Sequence, residues 1–192
     1  MLEVHFDLHQ TNTLVLDLSD IIHIKRQRYM NTSDYTTSLL INQSPSEVYN
    51  AINNIRGWWS EEIEGSTYKL NDVFMYHYKD VHISKMKLIE LIPDQKVVWL
   101  VLENHFNFTK DKSEWKDTKI SFEITKKGPQ TELRFTHIGL GPHYECYEIC
   151  KEAWGNYIHN SLRKLIETGK GEPNPKEGGF NGEIVKKWKL HS

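Results

Sequence analysis

The stretch PHYECYEICKEAWGNYIHNSLRKLIET, residues 142–168, carries the longest helical pattern of the chain. Its apolar residues recur at steps of three and four, so they share one face of an α-helix. These residues are Cys150, Trp154, Ile158, Leu162 and Leu165. Pro142 suits the first helical turn, and Gly169 suits the position just past the last one. A long helix with one apolar face needs an extended surface to cover it, and the rest of the chain must supply that surface.

The composition indicates one globular domain. The 192 residues include 24 basic and 26 acidic side chains, a balance without the basic excess that nucleic-acid binding requires. We find no apolar run long enough for a membrane span and no basic start of a secretory signal, so we expect a cytoplasmic protein. Cys146 and Cys150 lie one helical turn apart, which suits two reduced thiols rather than a disulfide.

The residues before the long helix predict seven strands and two short helices. YTTSLLI, residues 35–41, is the first strand, and SPSE, residues 44–47, begins a helix with a capping box. A second short helix or a turn over residues 55–62 holds the pair Trp58–Trp59. The hydrophobic period then changes to two. The six strand candidates that follow are residues 66–70, 72–79, 82–92, 96–103, 118–127 and 131–138.

Short breaks between these candidates favour sequential hairpins, and hence an antiparallel sheet. To bury the apolar face of the helix, the sheet must curl around it, which gives an α+β fold with a curved sheet. We expect three segments: residues 1–30 as a loosely ordered extension, residues 31–172 as the domain, and residues 173–192 as a tail. The tail is rich in Gly and Pro and is expected to be mostly irregular, with EIVKKWKL as a short helix or strand.

Several segments resemble the START-like, or SRPBCC, superfamily. They are SPSEVY at residues 44–49, the pair Trp58–Trp59, TELRFTHIGL at residues 131–140, and WGNYIHNSLRKLIETGKG at residues 154–171. Within the superfamily the chain looks most like the proteins related to the activator of the 90-kDa heat-shock protein's ATPase. The resemblance implies a helix-grip fold, in which a seven-stranded curved antiparallel sheet wraps around a long C-terminal helix. It also implies a chaperone as a partner.

Alternation along the strands predicts which side chains face the long helix. Together with residues of the helices, they form a candidate ligand-binding set: Trp58, Trp59, Phe74, Tyr76, Met86, Trp99, Phe122, Phe135, His137, Trp154 and Ile158. The space between sheet and helix is either a filled core or a cavity for a small hydrophobic or amphipathic molecule. Close packing of Trp154 against Phe122 and Phe135 would indicate the filled core.

Three functions remain open at this stage. The first is a binding module for a small hydrophobic molecule, without a cofactor. The second is a cyclase-like or hydrolase-like enzyme that uses His137 with a tyrosine or Glu90, although His137 also fits a hydrogen-bonded residue at a strand end. The third is a chaperone-associated regulator. We find no metal-ligand spacing, phosphate loop or nucleophile motif, so we predict no catalytic or metal site and rank binding first. Trp188 in the tail is a candidate contact with a second copy, which would make a homodimer.

Overall fold

The computed structural model describes residues 34–190, and the predicted extension over residues 1–30 lies outside them. The strands are β1 (Tyr35–Ile41), β2 (Ile63–Gly65), β3 (Val73–Tyr78), β4 (His82–Ile92), β5 (Lys96–Phe106), β6 (Lys119–Lys127) and β7 (Gln130–Ile138). The α-helices are α1 (Pro45–Asn53), α2 (Tyr147–Asn156), α3 (Arg163–Thr168) and α4 (Gly179–Lys187). A 3₁₀ turn, Ile55–Gly57, follows α1. A π-helical segment, Tyr157–Leu162, joins α2 to α3, and we call residues 147–168 the long helix.

The seven strands form one curved antiparallel sheet in the order β1-β7-β6-β5-β4-β3-β2. Strands β2 to β7 are joined by sequential hairpins. The last strand, β7, also pairs with the first strand, β1. The predicted apolar face of the long helix is buried along its whole length. The α+β helix-grip arrangement predicted from the sequence is therefore confirmed.

The first helix begins as its sequence predicts. Pro45 is the first helical residue, and the hydroxyl of Ser44 accepts a hydrogen bond from the backbone N–H of Glu47. The Glu47 carboxylate accepts in return from the backbone N–H of Ser44 at 2.8 Å. This reciprocal pair is the predicted capping box, and it fixes the direction in which the chain leaves β1.

The strand predicted over residues 66–70 is wrong, and β2 lies just before it. The carboxylate of Asp72 accepts hydrogen bonds from the backbone N–H groups of Tyr68 and Lys69 and from the hydroxyl of Ser66. These bonds fold residues 66–70 into a turn, so the stretch does not pair with a neighbouring strand. Short polar side chains compete with sheet hydrogen bonds in this way, and alternation alone does not reveal it.

The long helix begins later than predicted. Residues 142–146 form turns, and helical structure starts at Tyr147. Glu114, from the segment between β5 and β6, accepts hydrogen bonds from the backbone N–H groups of Glu145 and Cys146 at 2.7 and 2.9 Å. A buried carboxylate from a distant loop thus caps the helix. The predicted end is confirmed, since Gly169 has φ of 78°.

The tail contains the helix α4, which packs on the domain. Asn174 anchors the approach to this helix, because its backbone N–H and its side-chain amide both donate to the carbonyl of Trp59. Its side-chain oxygen accepts from the backbone N–H of Asn181 at 2.9 Å. The helix that was one alternative for EIVKKWKL is therefore confirmed over residues 183–187. It begins earlier than predicted, at Gly179, within the part of the tail that was expected to be irregular.

Candidate functional site

The space between the sheet and the long helix is packed with aromatic rings at its centre. Trp59 stacks on Tyr76 and Trp99, with ring centroids 4.4 and 5.9 Å apart. Trp154 packs on Phe135 at 4.7 Å, and Phe135 contacts Phe122 at 5.2 Å. These separations are those of direct aromatic contact. The central part of the space is therefore a filled core.

All eleven residues of the predicted ligand-binding set are buried. Three of them, Trp59, Tyr76 and Trp154, also line a cavity at one end of the core. The other eight lie outside that lining: Trp58, Phe74, Met86, Trp99, Phe122, Phe135, His137 and Ile158. The inward orientation of the set is confirmed, and its role in ligand binding stays a prediction.

The cavity has a volume of about 50 Å³. From the sheet and its loops, the lining residues are Trp59, Tyr76, Tyr78, Val81, His82, Phe106, Phe108 and Trp115. From the long helix they are Ile149, Cys150, Ala153, Trp154 and Tyr157, and from the tail Asn181, Ile184, Val185 and Leu190. At about 10–15 Å³ for each water molecule, the volume holds only a few waters or one small apolar group. The cavity is mainly apolar, with a few polar groups in its walls.

His82 is the first of these polar groups. Its Nε2 lies 2.7 Å from the hydroxyl of Ser84, which also accepts a hydrogen bond from the Asn104 amide at 3.1 Å. Burial, and secondarily the nearby His137, lowers the pKa of His82 to about 3. The imidazole is therefore neutral at neutral pH.

Two tyrosine hydroxyls and one carboxamide form the second polar group. The amide nitrogen of Asn181 donates to the hydroxyl of Tyr76 at 2.9 Å, and the hydroxyl of Tyr157 donates to the Asn181 oxygen. Burial raises the pKa of Tyr76 and of Tyr157 well above the usual value of tyrosine. Both hydroxyls therefore stay neutral, and the carboxamide of α4 joins them.

Two indole groups of the cavity wall complete the polar set. Trp59 and Trp115 are almost fully buried, and the Nε1–H of each has no hydrogen-bond partner in the described part of the chain. A buried donor without an acceptor costs roughly 1–3 kcal/mol. A bound molecule with an oxygen acceptor near these rings would remove part of that cost.

His137 lies outside the cavity lining, in a closed hydrogen-bond network. Its Nδ1 accepts from the indole N–H of Trp154 at 3.0 Å, and its Nε2 lies 2.9 Å from the hydroxyl of Thr118. The Thr118 hydroxyl donates to the carbonyl of Trp115, so Nε2–H of His137 must be the donor to Thr118. Burial lowers the pKa of His137 to about 3. Both ring nitrogens are occupied, which leaves neither available to a substrate.

The sequence did not reveal four residues that shape this site: His82, Trp115, Tyr157 and Asn181. Trp115 sits in a polar stretch that predicts a surface loop, yet its ring stacks on Trp154 at 5.8 Å. Tyr157 becomes inward-facing in the π-helical segment, which widens the buried face of the long helix. Asn181 lies just before EIVKKWKL, the tail segment that was a candidate helix or strand, and no pattern in the sequence pointed to its side chain.

Within residues 34–190, no helix is long and apolar enough to cross a membrane. The same residues contain no group of three or more His, Cys, Asp or Glu side chains that could hold a metal ion.

Comparison with known proteins identifies the fold. The solution structure of the Aha1 dimer from Colwellia psychrerythraea is 25% identical, with a TM-score of 0.58, and covers 72% of this chain and 99% of that one. DynU16, a protein of the dynemicin biosynthetic locus, is 13% identical, with a TM-score of 0.55, over 73% of this chain and 49% of its own. SSP2350 from Staphylococcus saprophyticus is 13% identical, with a TM-score of 0.55, over 76% of this chain and 100% of its own.

No protein-family model and no curated protein sequence matches the chain. The structural likeness therefore carries the assignment, together with the sheet order and the buried face of the long helix. The chain has the helix-grip fold of the START-like, or SRPBCC, superfamily, with an Aha1 protein among its structural neighbours.

Proposed function

We propose that this protein binds a small apolar molecule with a hydrogen-bond acceptor, in the cavity between the sheet, the long helix and α4. One observation carries the proposal: an apolar cavity lined by Trp59 and Trp115, two residues whose buried indole donors have no partner in the described part of the chain. Apolar walls supply affinity through burial, and a few fixed polar groups supply orientation. A carbonyl or ether oxygen is the simplest acceptor for a neutral N–H group.

Neutral ligands fit these walls better than charged ones. His82 is neutral because burial lowers its pKa, and Tyr76 and Tyr157 are neutral because burial raises theirs. Burying a charged ligand beside neutral groups would cost much of its hydration without an opposite charge in return. We therefore expect the ligand's acceptor to be uncharged.

Three probes of nearly equal shape test the proposal: ethylbenzene has no acceptor, acetophenone has one, and benzamide has an acceptor beside a donor. Ligand-observed NMR with the purified chain should show acetophenone binding more tightly than ethylbenzene. Val185→Phe, which fills the cavity from α4, should weaken acetophenone about tenfold or more. Val73→Phe makes the same change on an exposed strand position and serves as the matched control. Equal binding by both variants, or no binding at all, would refute the proposal.

The likeness to the Aha1 dimer supports a second candidate, association with a second copy or with a chaperone. Trp188, the predicted contact with a second copy, donates its indole N–H to Glu152 of the same chain at 3.0 Å, and it remains partly exposed. Light scattering coupled to size-exclusion chromatography tests self-association, and a monomer would exclude the second copy as a partner. Pull-down with the purified 90-kDa chaperone tests the other partner, and failure to bind would exclude the chaperone.

The enzymatic alternative loses its proposed centre, because both ring nitrogens of His137 bond to neighbouring side chains. Glu90, its suggested partner, pairs with Lys96 at 3.1 Å. We therefore keep binding as the proposed function.

A further inference from the structure

The C-terminal helix α4 forms one wall of the cavity. Four of the lining residues come from α4 and the residues after it: Asn181, Ile184, Val185 and Leu190. The remaining volume of about 50 Å³ is too small for a benzene ring with a substituent. A ligand of that size therefore requires α4 to move outward.

Asn181 has the geometry of a bound ligand's polar group. Its carboxamide places a donor and an acceptor side by side, and each meets one buried tyrosine hydroxyl. Asn181 itself is buried, with 7% of its surface exposed. The two hydroxyls come from β3 and from the long helix, the two elements that enclose the cavity. The carboxamide comes from α4, the only one of these three elements that lies in the tail.

The attachments of α4 suit a helix that can be displaced. At its C-terminal end, Lys187 pairs with Glu152 at 2.7 Å on the protein surface, where ion pairs stabilise weakly. At its N-terminal end, Gly178 and Gly179 have φ of 74° and 58°, conformations that other residues rarely adopt. Ile184 is its buried apolar residue. The buried side chains of α4 are Asn181 and Ile184, and Phe180 and Val185 pack on the core while partly exposed. At the surface, Trp188 adds a hydrogen bond to the same Glu152.

We propose that α4 is a lid and that Asn181 stands in for a carboxamide-like group of the ligand. On binding, the ligand displaces α4 and joins Tyr76 and Tyr157 with its own adjacent donor and acceptor. This inference rests on the proposed function and specifies its ligand class: a neutral apolar molecule that bears a primary amide or a group with the same donor–acceptor pair.

The direct test removes the carboxamide of Asn181. Asn181→Ala leaves the two tyrosine hydroxyls without their partner, so benzamide should bind this variant about tenfold more tightly than the wild type. Acetophenone should gain less, because it supplies no donor, and ethylbenzene should gain least. Glu152→Gln is the control, since it loosens the other end of α4 without vacating the polar position. It should raise the affinity for all three probes by a similar, smaller factor.

A second measurement uses the wild-type chain, so that it does not depend on the folding of a variant. Hydrogen exchange followed by mass spectrometry should show faster exchange over residues 173–190 in saturating benzamide, with exchange in β5 to β7 unchanged. Unchanged hydrogen exchange over residues 173–190 would overturn the proposal that α4 moves as a lid.

The outcomes separate this inference from the proposed function. An equal gain for all three probes in Asn181→Ala would overturn the role of Asn181, while the cavity would remain a binding site. If Asn181→Ala does not raise the affinity for benzamide while acetophenone still binds the wild type, the role of Asn181 is likewise overturned and the cavity remains a binding site. Absence of binding by every probe to every variant would overturn both proposals.

Discussion

The indole N–H of Trp154 donates to Nδ1 of His137 across 3.0 Å, inside the core. This bond joins the long helix to β7. On the other side of the imidazole ring, Nε2 of His137 bonds to the Thr118 hydroxyl. Since Trp154 also packs on Phe135, the centre of the domain is filled. The open volume lies beside the same part of the helix, where Ile149, Ala153 and Tyr157 line it together with residues of α4. Trp154 therefore belongs both to the filled core and to the wall of the cavity.

Acid should destabilise the fold through His137. Its pKa is about 3 in the folded state and about 6.5 in the unfolded chain, so the unfolded state binds the proton first as pH falls. The stabilisation is complete above pH 6.5 and decreases progressively between pH 6.5 and 3. His137 should contribute up to about 1.4 kcal/mol per pH unit to the fall in the free energy of urea unfolding between pH 7 and 5, and His82, whose pKa is lowered in the same way, should contribute a similar amount.

His137→Gln provides the comparison, because glutamine does not titrate. Its free energy of unfolding should be lower than that of the wild type at pH 7 and should depend less steeply on pH. Equal slopes for the two proteins would show that His137 is not the group responsible.

Removing the cap of the long helix should destabilise the domain. Glu114→Ala leaves two backbone N–H groups at the start of the long helix without an acceptor, at a cost of about 1–2 kcal/mol. Chemical denaturation measures the loss, and hydrogen exchange should accelerate over residues 144–150. Lys116→Ala changes an exposed neighbour in the same segment and should have little effect. Equal stability of the two variants would contradict the capping role.

Two glycines should respond in opposite directions to alanine. A Cβ at Gly171 would lie 2.3 Å from the carbonyl oxygen of Gly57, so Gly171→Ala must push two backbone segments apart and should cost about 1–3 kcal/mol. A Cβ at Gly155, within α2, would meet only the hydroxyl of Tyr35 at 3.7 Å. Gly155→Ala should therefore stabilise by about 0.5–1 kcal/mol. Thermal unfolding measures both effects. A shift of the melting temperature in the same direction for both variants would contradict the packing described for the two glycines.

The two thiols should be reduced and protected. Cys146 and Cys150 are both free and buried, and a hydrogen bond with Cys150, followed by burial, raises the pKa of the Cys146 thiol. Ellman's reagent should label the native protein slowly, and should label two thiols per chain after unfolding without a reductant. Fewer than two would indicate a disulfide.

The fold could be predicted from the sequence because its signals are local and repeated. Alternation in TELRFTHI correctly placed Leu133, Phe135 and His137 inward, and their burial is complete. The apolar spacing of the long helix was equally reliable, since Cys150, Trp154, Ile158, Leu162 and Leu165 are all buried. The capping box at Ser44 needs only four consecutive residues.

The cavity depends on contacts between distant residues, which a single sequence does not display. Trp115 reaches the core from a polar segment because Glu114 beside it caps the long helix. Asn181 meets Tyr76 across 105 positions of the chain. Neither contact has a periodic pattern, so composition indicated a surface loop in one case and an irregular tail in the other.

NMR on methyl-labelled protein shows most directly whether acetophenone binds in the cavity. Binding in the cavity should shift only the methyl groups that line it, which are those of Val81, Ile149, Ala153, Ile184, Val185 and Leu190. Methyl groups of the filled core, such as those of Leu133 and Val48, should not move. Shifts in the filled core or on the outer face of the sheet, with none at Ile184 and Val185, would contradict binding in the cavity.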